Sequence, residues 1–119
     1  MEISLERDPA HRLICELTEG TSTATVTASD VPEAGEALMA ALEDARDAGY
    51  GECLWREQGG DYRWMFRLGN GRLTVVVLWS SGVITGWQHV FRSECELDWL
   101  VDRVRADLAW HQVSPRPGS

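Results

Sequence analysis

The sequence predicts an α+β fold, in which an antiparallel sheet of five to seven strands, in the order ββ-α-ββββ-α, packs against two helices. The Asn70-Gly71 pair between two apolar runs is the strongest short-range signal of a β-hairpin, because both turn residues must take positive φ. Strand-like alternation surrounds this hairpin, and two stretches have apolar residues at helical spacing. One domain is expected over residues 1–112, followed by a disordered tail over 113–119.

Residues 3–28 are predicted to form strands. Apolar and mainly polar residues alternate along one of these strands, whose apolar residues are Leu13, Cys15 and Leu17. The strand after it, residues 23–28, is rich in β-branched residues. A turn is expected between them at residues 19–22, and a short additional strand at residues 3–6.

The first helix is predicted after these strands. Asp30 and Glu33 form a capping-box-like start, and Pro32 suits the first turn. Gly49 is placed to end the helix in a left-handed conformation. The apolar stripe consists of Ala34, Ala37, Leu38, Ala41, Leu42 and Ala45. Because alanine dominates this stripe, the helix can approach a sheet closely.

A meander of strands is predicted around the Asn70-Gly71 turn. A two-residue turn there pairs Leu68 with Leu73, Phe66 with Val75, Trp64 with Val77, and Tyr62 with Trp79. Gly59-Gly60 is predicted as a second two-residue turn, which pairs Trp55 with Trp64 and Cys53 with Phe66. The two assignments agree on one apolar face of the sheet.

The last strand of the meander is predicted at residues 83–91, in one of two registers. A turn at Ser81-Gly82 places Ile84 and Val90 on the apolar face that contains Trp64. A three-residue loop instead places Trp87 and Phe91 on that face.

The second helix is predicted to begin at a capping box formed by Ser93 and Glu96 and to end near His111. Its core stripe consists of Leu97, Leu100, Val101, Val104 and Leu108. The opposite side carries Cys95, Trp99, Ala106 and Trp110. The resulting order of strands and helices is similar to that of profilin-like and longin-like domains, and the resemblance rests on this order alone.

The net charge of −8 is unevenly distributed along the chain. Residues 1–61 contain fourteen acids and four arginines, a balance of −10, and residues 62–119 have a balance of +2. This acidic character disfavours nucleic acids and anionic membranes as partners and favours a basic protein. The lack of a long apolar run and of a signal-peptide pattern predicts a cytoplasmic protein.

No cofactor-binding, metal-binding or catalytic motif is present in the sequence. Cys15, Cys53 and Cys95 lack a C-x-x-C spacing and are expected to be reduced thiols. One catalytic arrangement stays open, a nucleophile at Cys53 or Cys95 activated by His89. The sequence therefore does not favour an enzyme.

Arginines on one face of neighbouring strands predict an alternative function, the binding of an anionic small molecule. The predicted registers place Arg56 opposite Arg63, and like charges in that position repel unless an anion lies nearby. Pairing of Glu52 with Arg67 would neutralise part of this cluster. The candidate ligand site, expected between the sheet and a helix, consists of Trp87, His89, Arg56, Arg63 and Arg67.

The main hypothesis is a non-enzymatic protein-binding module. Large aromatic residues on the solvent side of a helix are the type that anchors interfaces. The candidate partner-binding residues are therefore Trp99, Trp110, Cys95 and Ala106. A small acidic domain with many tryptophans is similar in general character to bacterial immunity and antitoxin proteins, which implies a basic toxin or enzyme as partner. A homodimer through the same helix is the other association considered.

Overall fold

The computed structural model describes residues 1–29, 31–81 and 86–113, with side chains for all of these except residues 31 and 110–113. Within these ranges the chain forms seven strands and two helices. The elements are β1 (Glu2–Arg7), β2 (Leu13–Glu19), β3 (Ser22–Ala28), α1 (Val31–Ala48), β4 (Tyr50–Glu57), β5 (Gly60–Gly69), β6 (Arg72–Ser80), β7 (Gln88–Cys95) and α2 (Leu97–Val113). The α+β class and the antiparallel pairing are confirmed, and the predicted tail beyond residue 113 lies outside the described residues.

The strands form two sheets, which corrects the prediction of a single sheet. The N-terminal sheet has the order β1-β2-β3, and the C-terminal sheet has the order β4-β5-β6-β7. They approach each other where the Ser29 amide donates to the Arg56 carbonyl at 3.0 Å. The chain enters α1 two residues after Ser29, so β3 and β4 meet at their ends without continuing into a common ladder.

The N-terminal sheet follows the predicted pattern. β2 and β3 are joined at Gly20-Thr21, with Glu19 opposite Ser22, and the short additional strand is present as β1. The buried positions of β2 are Leu13, Cys15 and Leu17, as their spacing predicts.

The first helix packs closely on the C-terminal sheet, as its alanine stripe predicts. Its predicted cap, Asp30, lies outside the described residues, whereas Gly49 ends the helix at φ +85. A Cβ placed on Gly51 of β4 would lie 1.9 Å from the carbonyl oxygen of Ala41. Glycine at this position therefore allows the helix backbone to approach the strand.

The β5–β6 register is confirmed in every predicted pair. Trp64 lies opposite Val77 and Phe66 opposite Val75, and all four side chains are buried. Asn70 and its neighbour Gly71 have φ values of 52 and 77, as a type I′ turn requires.

The predicted β4–β5 register is wrong by two residues. Gln58-Gly59 is the turn, so that Trp55 lies opposite Tyr62, Cys53 opposite Trp64, and Gly51 opposite Phe66. Gly60 belongs to β5, where a Cβ would lie 2.1 Å from the carbonyl oxygen of Ser80 and 2.7 Å from the Trp79 ring. A shift of two residues preserves the side-chain face, so the predicted apolar face is retained despite the wrong turn.

The last strand differs from both predicted registers. β7 begins at Gln88, and residues 82–85, including Ile84, lie outside the described residues. A bulge at Val77/Leu78 places Phe91 opposite Val77 in the core and His89 opposite Leu78 on the other face. Trp87, expected beside Phe91 in one register, lies on the face opposite the core, where Arg63 contacts its ring.

The predicted capping box of the second helix is also wrong. Ser93 belongs to β7, is buried, and donates its hydroxyl to Glu19. The helix starts instead after Glu96, whose carbonyl accepts the Leu100 amide at 3.1 Å. The predicted core stripe is confirmed, since each member is buried: Leu97, Leu100, Val101, Val104 and Leu108.

One continuous core joins the two sheets and the two helices. α1 packs on β4 and β5, and α2 lies along β1 and contacts α1. Among the described residues, no helix is both long enough and apolar enough to span a membrane.

Candidate functional site

The first candidate surface surrounds Trp99, whose side chain is 40% exposed on α2. It lines a groove of about 520 Å³ between α2 and the outer face of β1 and β2. This surface, called the tryptophan groove below, consists of Trp99, Arg103, Glu2, Ser4, Glu16 and Thr18, with Ile3 at its base.

The structure removes one of the other predicted members of the partner site. Cys95 is buried in β7, which corrects its prediction as part of one stripe with Trp99. Ala106 is exposed on α2, two helical turns after Trp99 and therefore on the same side of the helix. The side chain of Trp110 lies outside the described residues, so its part of the prediction stays a prediction.

The tryptophan groove contains two glutamates and one arginine, and that arginine is paired with a different carboxylate. Among the described residues, Glu2 and Glu16 make no ion pair, whereas Arg103 pairs with Asp107 at 3.6 Å. Asp107 also accepts the Leu5 amide at 3.0 Å, which fixes α2 against the edge of β1. The groove therefore offers an aromatic side chain beside two carboxylates.

The second candidate surface is the outer face of the C-terminal sheet, which points away from both helices. α1 contacts this sheet from the other side, where the indole of Trp55 donates to the Ala34 carbonyl at 3.1 Å. The apolar and aromatic members of the outer face are Tyr50, Leu54, Met65, Val76, Leu78 and Trp87. Its arginines are Arg56, Arg63, Arg67, Arg72 and Arg92.

All five residues of the predicted ligand site lie on this outer face, but in a different arrangement. Arg56 lies opposite Asp61, and Arg63 lies opposite Leu54, so the predicted Arg56–Arg63 juxtaposition is wrong. The expected position between the sheet and a helix is wrong as well, since Trp87 and His89 point to the side that neither helix covers. The two-residue shift in the β4–β5 register accounts for the changed arginine neighbours.

A chain of polar contacts orders part of the outer face. The hydroxyl of Tyr50 donates to Glu52 at 2.5 Å, and Arg63 donates to the same carboxylate at 2.6 Å. The hydrogen bonds from Tyr50 and from Arg63 hold the pKa of Glu52 below its usual value. Arg63 also lies over the ring of Trp87, 5.6 Å from its centroid, so that this exposed tryptophan is held in place.

Three arginines on this face make no ion pair among the described residues, Arg56, Arg67 and Arg92. Arg67 lies over the ring of Tyr50 at 5.8 Å, and Arg67 and Arg92 line a depression of about 250 Å³. Glu52, the predicted partner of Arg67, lies opposite Met65 and pairs with Arg63 instead.

The structure separates the groups of the one catalytic arrangement that the sequence left open. Cys53 and Cys95 point into the core, whereas His89 lies on the outer face. Burial raises the pKa of Cys53 to about 12 and that of Cys95 to about 11. No group of three or more metal-ligating side chains occurs among the described residues.

Arg92 and the two glutamates of the tryptophan groove were not among the residues predicted from the sequence. Arg92 belongs to the outer face in any register that places Phe91 on the apolar face, because neighbouring side chains of a strand point to opposite faces, but the sequence left the register of this strand open. Glu2 and Glu16 appear as ordinary solvent positions of strands until α2 is placed beside β1.

No family model, curated protein or solved structure matches this chain. The similarity in element order to profilin-like and longin-like domains stays a prediction.

Proposed function

We propose that this chain is a non-enzymatic protein-binding module that holds a basic partner protein in the tryptophan groove. The observation that carries the proposal is the position of Trp99, an exposed aromatic side chain beside the carboxylates of Glu2 and Glu16. Tryptophan is the residue type most enriched at the energetic centres of interfaces. A cationic side chain of the partner could lie over the indole and pair with a carboxylate at once.

The charge of the whole chain supports a basic partner. The net charge is −8, and the acids of the exposed face of α1 add to those of the groove. Such a field accelerates association with a cationic protein and is screened by salt. An immunity or antitoxin function, in which the bound partner is a toxin or an enzyme, is the specific form of this proposal.

The test is capture on the immobilised full chain from an extract of the source organism, followed by purification of the captured protein. The affinity of the captured protein is then measured for the unmodified chain and for the Trp99→Ala variant. We expect a basic protein that binds at least about 30-fold more weakly to Trp99→Ala, as loss of a central interface tryptophan implies. Binding should also weaken in Glu2→Gln and Glu16→Gln.

Trp87→Ala is the matched control, because Trp87 is 41% exposed, about the same as Trp99, but lies on the outer face of the C-terminal sheet. It should bind the partner with unchanged affinity. The proposal fails if no protein is captured, if the captured protein is acidic, or if Trp99→Ala binds as tightly as the unmodified chain.

A further inference from the structure

We infer that the depression between Arg67 and Arg92 binds a small organic anion, a carboxylate or phosphate attached to an apolar group. This site lies on the outer face of the C-terminal sheet and does not depend on the proposed function of the tryptophan groove. Its volume of about 250 Å³ corresponds to roughly eight water molecules, enough for the anionic group and a small apolar group next to it.

The charge of the two arginines supports an anionic ligand. The acids near them are engaged elsewhere, since Glu52 pairs with Arg63 at 2.6 Å and Glu94 pairs with Arg72 at 3.8 Å. The donors of both guanidinium groups are therefore not taken up by a carboxylate among the described residues, and both groups can donate charge-assisted hydrogen bonds to one anion.

The strand register brings both arginines within reach of one ligand. Arg67 lies opposite Thr74, and Arg92 lies opposite Val76, so the two arginines flank β6 from its neighbours β5 and β7. Standard strand spacing puts their Cα atoms roughly 12 Å apart. Two extended arginine side chains can therefore converge on a group placed between them.

The floor and wall of the depression define the rest of the ligand. Met65 and Val76 form an apolar floor, and the hydroxyl of Thr74 can donate to an oxyanion. Tyr50 forms a wall and is fixed by its hydrogen bond to Glu52, while its ring holds Arg67 at 5.8 Å. A ligand with an apolar body next to its anionic group would contact both the floor and the arginines.

The experiment follows the arginine side-chain NMR signals of the full chain during titration with inorganic phosphate, phenyl phosphate or benzoate at constant ionic strength. We expect saturable shifts at Arg67 and Arg92 with phenyl phosphate or benzoate, and a Kd at or below about 1 mM for one of them. Inorganic phosphate should bind more weakly than the better aromatic anion, because it cannot contact the apolar floor. The comparison of phenyl phosphate with benzoate identifies the preferred anionic group.

Arg67→Gln and Arg92→Gln should each weaken binding about tenfold or more, the loss expected for a charge-assisted hydrogen bond. Arg105→Gln, which removes the same charge from an exposed position of α2, should leave binding unchanged. The inference fails if none of the three probes gives saturable shifts, if inorganic phosphate binds as tightly as both aromatic anions, or if Arg105→Gln weakens binding as much as the other two variants. Backbone spectra of each variant show whether the fold is retained.

Discussion

Gly51 of β4 lies directly against the backbone of Ala41 in α1, so closely that a Cβ on the glycine would lie 1.9 Å from the alanine carbonyl oxygen. No flexible side chain is available to move aside there, because the atom in contact belongs to a helix backbone. This contact sets the distance between the first helix and the C-terminal sheet, and so the packing of the core between them.

Gly51→Ala is therefore expected to destabilise the protein by at least about 2 kcal/mol, as overpacking against an immobile backbone does. Urea unfolding followed by tryptophan fluorescence measures the effect. Gly69→Ala is the control, because no atom lies within 4 Å of the corresponding Cβ, and it should change the free energy of unfolding by less than about 0.5 kcal/mol. Equal effects of the two substitutions would contradict the close approach.

The two buried tryptophans of the core should respond differently to the same substitution. Trp55 donates to the Ala34 carbonyl at 3.1 Å, whereas the indole Nε1 of Trp64 has no acceptor among the described residues. Trp55→Phe loses a hydrogen bond that Trp64→Phe does not, so we expect it to be more destabilising by about 1–2 kcal/mol. The same urea experiment compares them, and a larger loss for Trp64→Phe would show that its indole has an acceptor.

The carboxylate of Glu52 gives a prediction for pH. Its pKa is lowered in the folded protein, first by the hydrogen bond from Tyr50 and then by Arg63. A lowered pKa means that the ionised form stabilises the fold above the unfolded pKa, and that this stabilisation is lost as the pH falls through the folded value. A carbon NMR titration should place the midpoint of Glu52 below 4.5.

Two variants separate the causes of this shift. Tyr50→Phe and Arg63→Gln should each move the pKa of Glu52 back towards 4.5. Arg105→Gln, which makes no contact with this network, should leave the titration as it is. A midpoint at or above 4.5 in the unmodified chain would show that the contacts among Tyr50, Glu52 and Arg63 are not formed in solution.

The three free thiols are expected to react slowly in the folded protein. Burial raises the pKa of Cys53 to about 12 and that of Cys95 to about 11, and it raises the pKa of Cys15 well above its usual value. Because the thiolate is the reactive form, alkylation by iodoacetamide at pH 8 should be far slower than in urea, where all three become accessible. Rapid alkylation of any one of them in the folded protein would contradict its position in the core.

The sequence could predict those parts of the fold that depend on local chemistry. The Asn70-Gly71 turn determines the β5–β6 register, because asparagine followed by glycine readily takes positive φ at both turn positions. Gly59-Gly60 did not allow the same inference, since two glycines leave the turn position ambiguous. The position of this turn is decided by the packing of Gly60 against Trp79, a contact between residues that are distant in sequence.

The remaining errors arise where tertiary contacts override a local pattern. Ser93 and Glu96 have the spacing of a capping box, but Ser93 instead donates to Glu19, which is distant in sequence. The division into two sheets follows from β3 and β4 meeting only at their ends, where Ser29 contacts Arg56, and no periodicity in either segment indicates it. For the candidate sites, the sequence could predict exposure of Trp99 but not the glutamates that lie beside it.

The most direct test of the tryptophan groove as a binding surface follows the side-chain indole NMR signals of Trp99 and Trp87. The purified basic partner is added to the isotope-labelled chain during the measurement. The two tryptophans are 40% and 41% exposed and lie on different surfaces, so each signal reports on one candidate interface. We predict that the Trp99 signal shifts and saturates at one equivalent of partner while the Trp87 signal stays in place. A shift of Trp87 with Trp99 unchanged would contradict the assignment of the tryptophan groove as the binding surface.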